Sequence, residues 1–286
     1  MTTGEANQEQ RTYWNDHAGP RWVKLQPRLD AQLQPLGRAT MHRAEITPGD
    51  SVLDVGCGCG QTSLELAGRV GPQGAVTGID LSLPMVERAS ERQQNVFLSN
   101  LTFLHGDAQT YEFERGCHDL AFSRFRVMFF EDPVAAFSNI RTALRPQGRL
   151  CFVCWQGVDK NEWAKIPLEA AAQHVPLPPP AAPGTPGPFA FADHERVKQL
   201  LKTAGFTEVH IESYETQLSM GDATSKEDAA EFALEVGPVA TLLRDTDPSL
   251  RSRVCEALST ALTPYAKHGG VKLGGAVWIV RARTPR

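Results

Sequence analysis

The stretch from Ser51 to Thr62, S-V-L-D-V-G-C-G-C-G-Q-T, constrains this chain more than any other. Val52, Leu53 and Val55 make a short apolar strand, and Gly56, Gly58 and Gly60 follow it at every second position. From Gln61 the spacing turns helical, with Leu64, Leu66 and Ala67 on one side. A strand that turns through glycines into a helix brings its backbone close to a ligand, because no Cβ stands in the way. Units of this kind build parallel α/β sheets whose ligand site lies at the carboxyl ends of the strands.

Two carboxylates narrow the ligand. Asp54 sits at the mouth of the loop, and Asp80 ends the next apolar strand, 20 residues past Gly60. A carboxylate at the end of the second strand of a βαβ unit is placed to accept from both hydroxyls of a ribose. That position suits any adenosine-bearing cofactor. Asp54 separates them: beside a pyrophosphate a buried carboxylate costs on the order of several kcal/mol at low effective dielectric. A ligand carrying an ammonium and a sulfonium and no phosphate is welcome there. The G-x-G-x-G spacing, in place of G-x-G-x-x-G, points the same way.

With these pieces in view the chain resembles the class I S-adenosylmethionine-dependent methyltransferases, in their bacterial small-molecule branch. The resemblance is carried by V-L-D-V-G-C-G-C-G (52–60), V-T-G-I-D-L-S (76–82), L-H-G-D-A (104–108), F-S-R-F (122–125) and A-L-R-P-Q-G-R-L (143–150). Y-W-N near the N-terminus and P-G-P-F-A-F-A-D (186–193) indicate the branch. The resemblance implies S-adenosyl-L-methionine held by Asp54, Gly56, Cys57, Gly58, Gly60, Thr62 and Asp80. It extends the site to Leu81 and Met85 against the adenine, to Gly106, Asp107 and Ala108 around the adenine edge, and to Ser123 and Arg124 where methionine meets acceptor. Asp107 also reads as a helix cap, and Arg124 as one half of a structural ion pair.

Catalytic groups are harder to read. Methyl transfer from a sulfonium is an in-line displacement on an activated carbon, so proximity supplies much of the acceleration, and a base is required only when the acceptor must lose a proton. His118 begins the fourth strand, away from the site, and His105 ends the third. His174, His194, His210 and His268 fall at surface or insert positions. His17, in Y-W-N-D-H, is the candidate base, with a solvated or capping histidine as the alternative, and Tyr13 is a second candidate. Arg126 departs from the resembled family, which usually carries a small residue there. A guanidinium at that point pairs with an anionic acceptor if it faces inward; facing outward, it has no role. Met128, Phe129, Phe130 and Trp155 are candidate walls of the acceptor pocket.

The 286 residues are enough for one large α/β domain with insertions, and 41% hydrophobic with 22% charged content is ordinary for a globular protein. A net charge of −4 gives no basic footprint for nucleic acid. No apolar run approaches the ~18 residues of a membrane helix, and the polar start lacks a signal-peptide core, so a cytoplasmic protein is expected. The expected partner is a small molecule, aromatic or anionic, with no nucleic acid or membrane; the oligomeric state stays open, a homodimer included. Cys151 and Cys154 are spaced as in metal sites, but within a strand they point to opposite faces, and no metal is expected. The runner-up functions are a methyltransferase-like protein with different chemistry on S-adenosylmethionine and, further off, an NAD-dependent oxidoreductase.

The expected fold is a Rossmann-like doubly wound α/β sheet, mostly parallel, with its last strand antiparallel. An N-terminal helical cap (1–45) is disordered over 1–10 and cut short by Pro20, Pro27 and Pro35. The core (46–155) has strands at 51–55, 75–79, 101–105, 118–123 and 149–155 and helices near 61–70, 83–93 and 133–145. A Pro-rich insertion (156–192) holds a short helix at 161–174 and an extended strap at 176–188. The C-terminal part (193–286) has a helix at 193–204 and strands at 208–219 and 276–283. It carries a lid insert of two amphipathic helices at 225–262.

Overall fold

The apolar run around Asp54 becomes β1 (Ser51–Val55), central in the sheet of this computed structural model, which describes residues 7–286 except 97, 180, 183, 245 and 268–269. The other strands of the sheet are β2 (Ala75–Asp80), β3 (Leu101–His105), β4 (His118–Arg124), β5 (Leu144–Trp155), β6 (Thr207–Ser219) and β8 (Gly270–Arg283). Their order is β3-β2-β1-β4-β5-β8-β6, and the two-residue β7 (Ala266–Lys267) pairs with β8. The first five strands pair in parallel, while β8 runs antiparallel between β5 and β6. This is the expected doubly wound sheet with a reversed last strand, and its strand order changes direction beside β1, where such sheets bind ligands.

Five segments differ from the sequence expectation. The cap comprises α1 (Gln8–Thr12), a π-helical turn (Tyr13–His17), α2 (Ala18–Lys24) and α3 (Gln26–Arg43). Pro20 and Pro27 sit in first turns, but α3 runs straight through Pro35. Its buried face of Leu29, Leu33, Leu36 and Met41 offsets the hydrogen bond the proline removes. Residues 7–10, expected to be disordered, are held in place at Asn7, whose N–H donates to Glu131 and whose carboxamide accepts from Glu131 N–H. Residues 1–6 lie outside the described residues, as does His268. β5 starts at Leu144, which pairs with His118, and so ends the preceding helix at Ala143. β8 begins at Gly270, six residues early, because its pairing with β6 runs back to Lys272 and β7 pairs with Gly270 and Val271.

The crossover helices are α4 (Gln61–Val70), α5 (Leu83–Gln94) and α6 (Pro133–Ala143), the last capped by Asp132, which accepts from Ala135 N–H at 2.9 Å. Then come α7 (Glu162–Ala171) and α8 (His194–Thr203), capped by Asp193. The insert between β6 and β8 holds α9 (Lys226–Glu235), α10 (Pro238–Leu242) and α11 (Pro248–Leu262). The short α10, entered through Gly237 at φ +80°, was not legible as a third helix. Ion pairs tie cap to insert: Arg28 to Asp228 at 2.8 Å and Arg21 to Glu235 at 3.5 Å. Among the described residues no helix is long and apolar enough to cross a membrane, and no group of three metal-ligating side chains is gathered.

Candidate cofactor and acceptor site

The loop after β1 directs backbone donors to the end of β2 and to its own Cys57. Gly56 and Cys57 N–H donate to Ile79 O at 2.7 and 3.1 Å, Gly58 N–H to Asp80 Oδ2 at 2.8 Å, and Gly60 N–H to Cys57 O at 3.0 Å. Phosphate-binding loops instead aim such donors outward, so this one is not a pyrophosphate cradle. Glycine is required by the packing. Gly60 has φ +83°, and a Cβ there would lie 2.9 Å from Ala89 Cβ and 3.0 Å from Phe103 Cζ. Burial pushes the Cys59 thiol up to about 12, so it is no nucleophile beside an electrophilic methyl.

Both acids are buried. Asp54 Oδ2 accepts from Thr62 Oγ1 and Ser63 Oγ, each at 2.6 Å, while Oδ1 has no partner among the described residues. Burial raises its pKa to about 6, against the lowering effects of the Ser63 and Thr62 hydrogen bonds and of Arg124. Asp80 accepts from Gly58 and Ser82 N–H at 2.8 and 2.9 Å. Both of its oxygens also accept from Arg126 Nη2, at 2.9 and 3.0 Å.

Two small cavities flank that ion pair. The first, about 50 Å³, is lined by Asn7, Trp14, Asp80, Leu81, Gly106, Asp107, Ala108, Phe129 and Phe130, among others. The second, about 20 Å³, is lined by Trp22, Asp30, Leu33, the loop from Gly56 to Cys59, Gln61, Thr62, Met85 and Arg124, among others. Gly56 and Arg126 border both. The first cavity thus gathers the residues expected around adenine, Met85 excepted; Met85 lies under the loop on the second. Ser123 faces neither, its hydroxyl donating to Val55 O at 2.7 Å. In the second cavity the Arg124 guanidinium bonds Gln61 and stands 4.0 Å from the Asp30 carboxylate. Arg126 also borders this cavity, and Asp30 pairs more closely with Arg92, at 3.0 Å.

A third cleft, about 210 Å³, opens between the cap and the insert. Tyr13, His17, Arg21 and Trp22 line one side, and Glu235, Val236, Gly237, Ala240 and Arg244 the other. Tyr13 and His17 therefore share a cavity, and Arg126 is not part of it. Phe129 and Phe130 wall the adenine side instead. Met128 is 1% exposed core, and Trp155 is stacked on Phe125 at 4.1 Å. The sequence reading gave no site role to Asn7, which caps α1, or to Trp14, Trp22 and Asp30 of the cap; Trp14 stands in the Y-W-N motif, and the aromatic content of the cap was the only other signal.

Residues 46–181 match a family model described as a methyltransferase domain. With the fold, this match supports a class I S-adenosylmethionine-dependent methyltransferase. Nocamycin O-methyltransferase of Saccharothrix syringae is 28% identical over 246 residues, 83% of this chain and 86% of that protein. Two solved structures share the fold. One is Haemonchus contortus phosphoethanolamine N-methyltransferase 2 with S-adenosylhomocysteine, with TM-score 0.55 and 20% identity over 88% of this chain, which spans about half (53%) of that protein. The other is the cyclase SpnF, with TM-score 0.56 and 21% identity over 93% of this chain and 95% of that one.

Proposed function

We propose that the protein methylates a small organic acceptor, at O, N, S or C, held in the cleft between cap and insert. One observation carries this: Trp22 lines both that cleft and the Asp30–Arg124 cavity, so the two meet at a single indole. S-adenosylmethionine supplies an activated methyl on a sulfonium. The residues placed to hold it are Asp80 for the ribose, Asp107 and Ala108 for the adenine edge, and Asp30 and Arg124 for the amino-acid end. Asp54 contributes negative charge behind the loop.

An aromatic or anionic acceptor suits the Tyr13 and Trp22 rings and the Arg21 and Arg244 guanidinium groups of the cleft. His17 is our candidate for the proton acceptor when a hydroxyl is methylated, with Tyr13 as the alternative. The relative's name, an O-methyltransferase, favours oxygen. The net charge of −4 argues against nucleic acid. The unpaired thiols of Cys57, Cys59, Cys151 and Cys154, all buried, suit a reducing cytoplasm.

The test is incubation of the protein with isotopically labelled S-adenosylmethionine and a fractionated metabolite extract, read by mass spectrometry. Label in a small molecule with matching S-adenosylhomocysteine is the expected result. Cofactor binding without formation of S-adenosylhomocysteine would favour a non-methylating reaction on the same fold. Binding of a dinucleotide instead would point to an oxidoreductase.

The cap yields a second expectation. Trp14 and Ala18 form a buried cluster with Cys59 and Met85, apart from the main core. Removal of residues 1–24 is therefore expected to lower specific activity about 100-fold through lost positioning, with a far smaller change in thermal midpoint. A collapsed midpoint with activity per folded molecule retained would make the cap a purely structural element.

A further inference from the structure

Both carboxylates assigned to the nucleoside are already engaged by the protein's own donors. Arg126 Nη2 bonds the two oxygens of Asp80, the pattern a ribose diol would make. Its side chain lies against Gly56: a Cβ on that glycine would fall 2.2 Å from Arg126 Cβ and 2.4 Å from Cγ. Its guanidinium carbon is 3.9 Å from the centre of the Trp14 ring, and its Nη1 is buried without a partner among the described residues. At the other end, Asn7 Nδ2 donates to Asp107 Oδ2 at 2.7 Å, where an adenine amine would donate. Arg126, which borders both cavities, divides what would be one cofactor cleft, and the spaces left, about 50 and 20 Å³, are too small for an adenosyl group.

We infer that Arg126 and Asn7 are internal stand-ins for the nucleoside, and that Arg126 becomes the acceptor-specifying cation only after the cofactor has displaced it. The inference rests on the proposed cofactor and acceptor sites and adds how they are coupled. The ribose hydroxyls replace the guanidinium on Asp80 donor for donor, and the adenine amine replaces the Asn7 carboxamide on Asp107. The two carboxylates keep their hydrogen bonds in the exchange while Arg126 gives up its pair with Asp80 and Asn7 its bond to Asp107, and the unpartnered Nη1 leaves a buried position that costs stability. The released guanidinium has a neighbouring aromatic face to move along, since its carbon already stands 5.9 Å from the centre of Trp22, the indole shared with the acceptor cleft. There it can pair with a carboxylate or phenolate. Binding is then ordered, cofactor before anionic acceptor, and the unloaded enzyme holds its acceptor cation in reserve.

The experiment compares the full chain with Arg126→Gly and Arg126→Lys, with S-adenosylhomocysteine as ligand and 2-naphthoate as aromatic anion. Stopped-flow tryptophan fluorescence follows the departure of the guanidinium from Trp14, and calorimetry gives affinities. Wild type should show an association rate that levels off with ligand concentration, while Arg126→Gly should rise linearly. Arg126→Gly should also bind S-adenosylhomocysteine about 10-fold more tightly, as expected when the competent state is populated at roughly one part in ten. 2-Naphthoate should bind wild type about 5-fold more tightly in the presence of S-adenosylhomocysteine, within the usual range of coupling between sites. Arg126→Gly should lose that gain, and Arg126→Lys should keep part of it. Equal or weaker S-adenosylhomocysteine binding by Arg126→Gly, or a 2-naphthoate affinity indifferent to the cofactor product, overturns the inference and leaves the cofactor assignment standing. Failure of every form to bind S-adenosylhomocysteine overturns the assignment and the inference together. Thermal melts of both variants confirm that the comparison is between folded proteins.

Discussion

Asp80→Ala is expected to weaken S-adenosylhomocysteine binding about 10-fold, and about 100-fold when made in the Arg126→Gly background. In either background the substitution removes an acceptor for the ribose hydroxyls. In the wild-type background it also removes the anchor of Arg126, and losing that competitor recovers part of the affinity. The two substitutions share one carboxylate, so their effects cannot add. The fold responds too. Asp80 is 2% exposed and accepts from Gly58 N–H, Ser82 N–H and Arg126. Stranding these donors should cost about 2–4 kcal/mol of stability, and Asp80→Asn should recover part of it. Calorimetric titration checks the affinities and chemical denaturation the stability. Equal losses in both backgrounds would mean that Arg126 does not compete with the ribose.

The second large effect is a pH dependence set by Asp54. Its pKa of about 6 lies above the ordinary 3.8, because burial penalises the charged form. A carboxyl raised on folding contributes stability that is complete below the unfolded value near 3.8 and is lost as pH rises through about 6. The unloaded protein should therefore be more stable toward acid with respect to this group than at neutral pH, by on the order of 3 kcal/mol for a shift of about two units. Cofactor affinity runs the other way. A cationic ligand favours the ionised form, so affinity should hold above about pH 7 and fall by up to about 10-fold per unit below pH 6. Asp54→Asn should remove that slope, raise the melting temperature of the unloaded protein at pH 7.5 and weaken the neutral-pH complex. A binding curve flat from pH 5 to 8 in wild type would show that Asp54 does not sense the ligand's charge.

The parts of the site that could be read from sequence are those written in one local unit. Val52 to Thr62 dictates strand, glycine turn and helix within a dozen residues, and Asp80 ends the strand that pairs directly beside β1. Leu81, Gly106, Asp107 and Ala108 fall together because parallel register places successive strand ends side by side. Met85 was legible as a member of the site but not of the right cavity, since its side chain runs back under Gly58. Helix ends followed their caps at Asp132 and Asp193, where the signal is a single side chain bonding the next turn. Pro35 was misleading: the penalty for proline is local, whereas the burial of Leu33 and Leu36 that overrides it depends on the sheet beneath.

Arg126 marks the limit of this kind of reading. The sequence singled it out as unusual and offered two directions for it, into the acceptor pocket or out to solvent. The fold supplies a third, onto Asp80 and under Trp14, from segments 46 and 112 residues away in the chain. Asn7 is similar, lost in a polar terminus until Glu131 and Asp107 hold it from 124 and 100 residues away. The cofactor class, the succession of core strands and helices along the chain and the identity of the two acids were thus properties of short stretches, fixed by backbone hydrogen bonding and side-chain alternation. Which donors face those acids, and where the acceptor cleft opens, was decided only by the packing of cap and insert over the strand ends. Contacts between distant segments depend on the shape of the whole chain, and no local pattern encodes them.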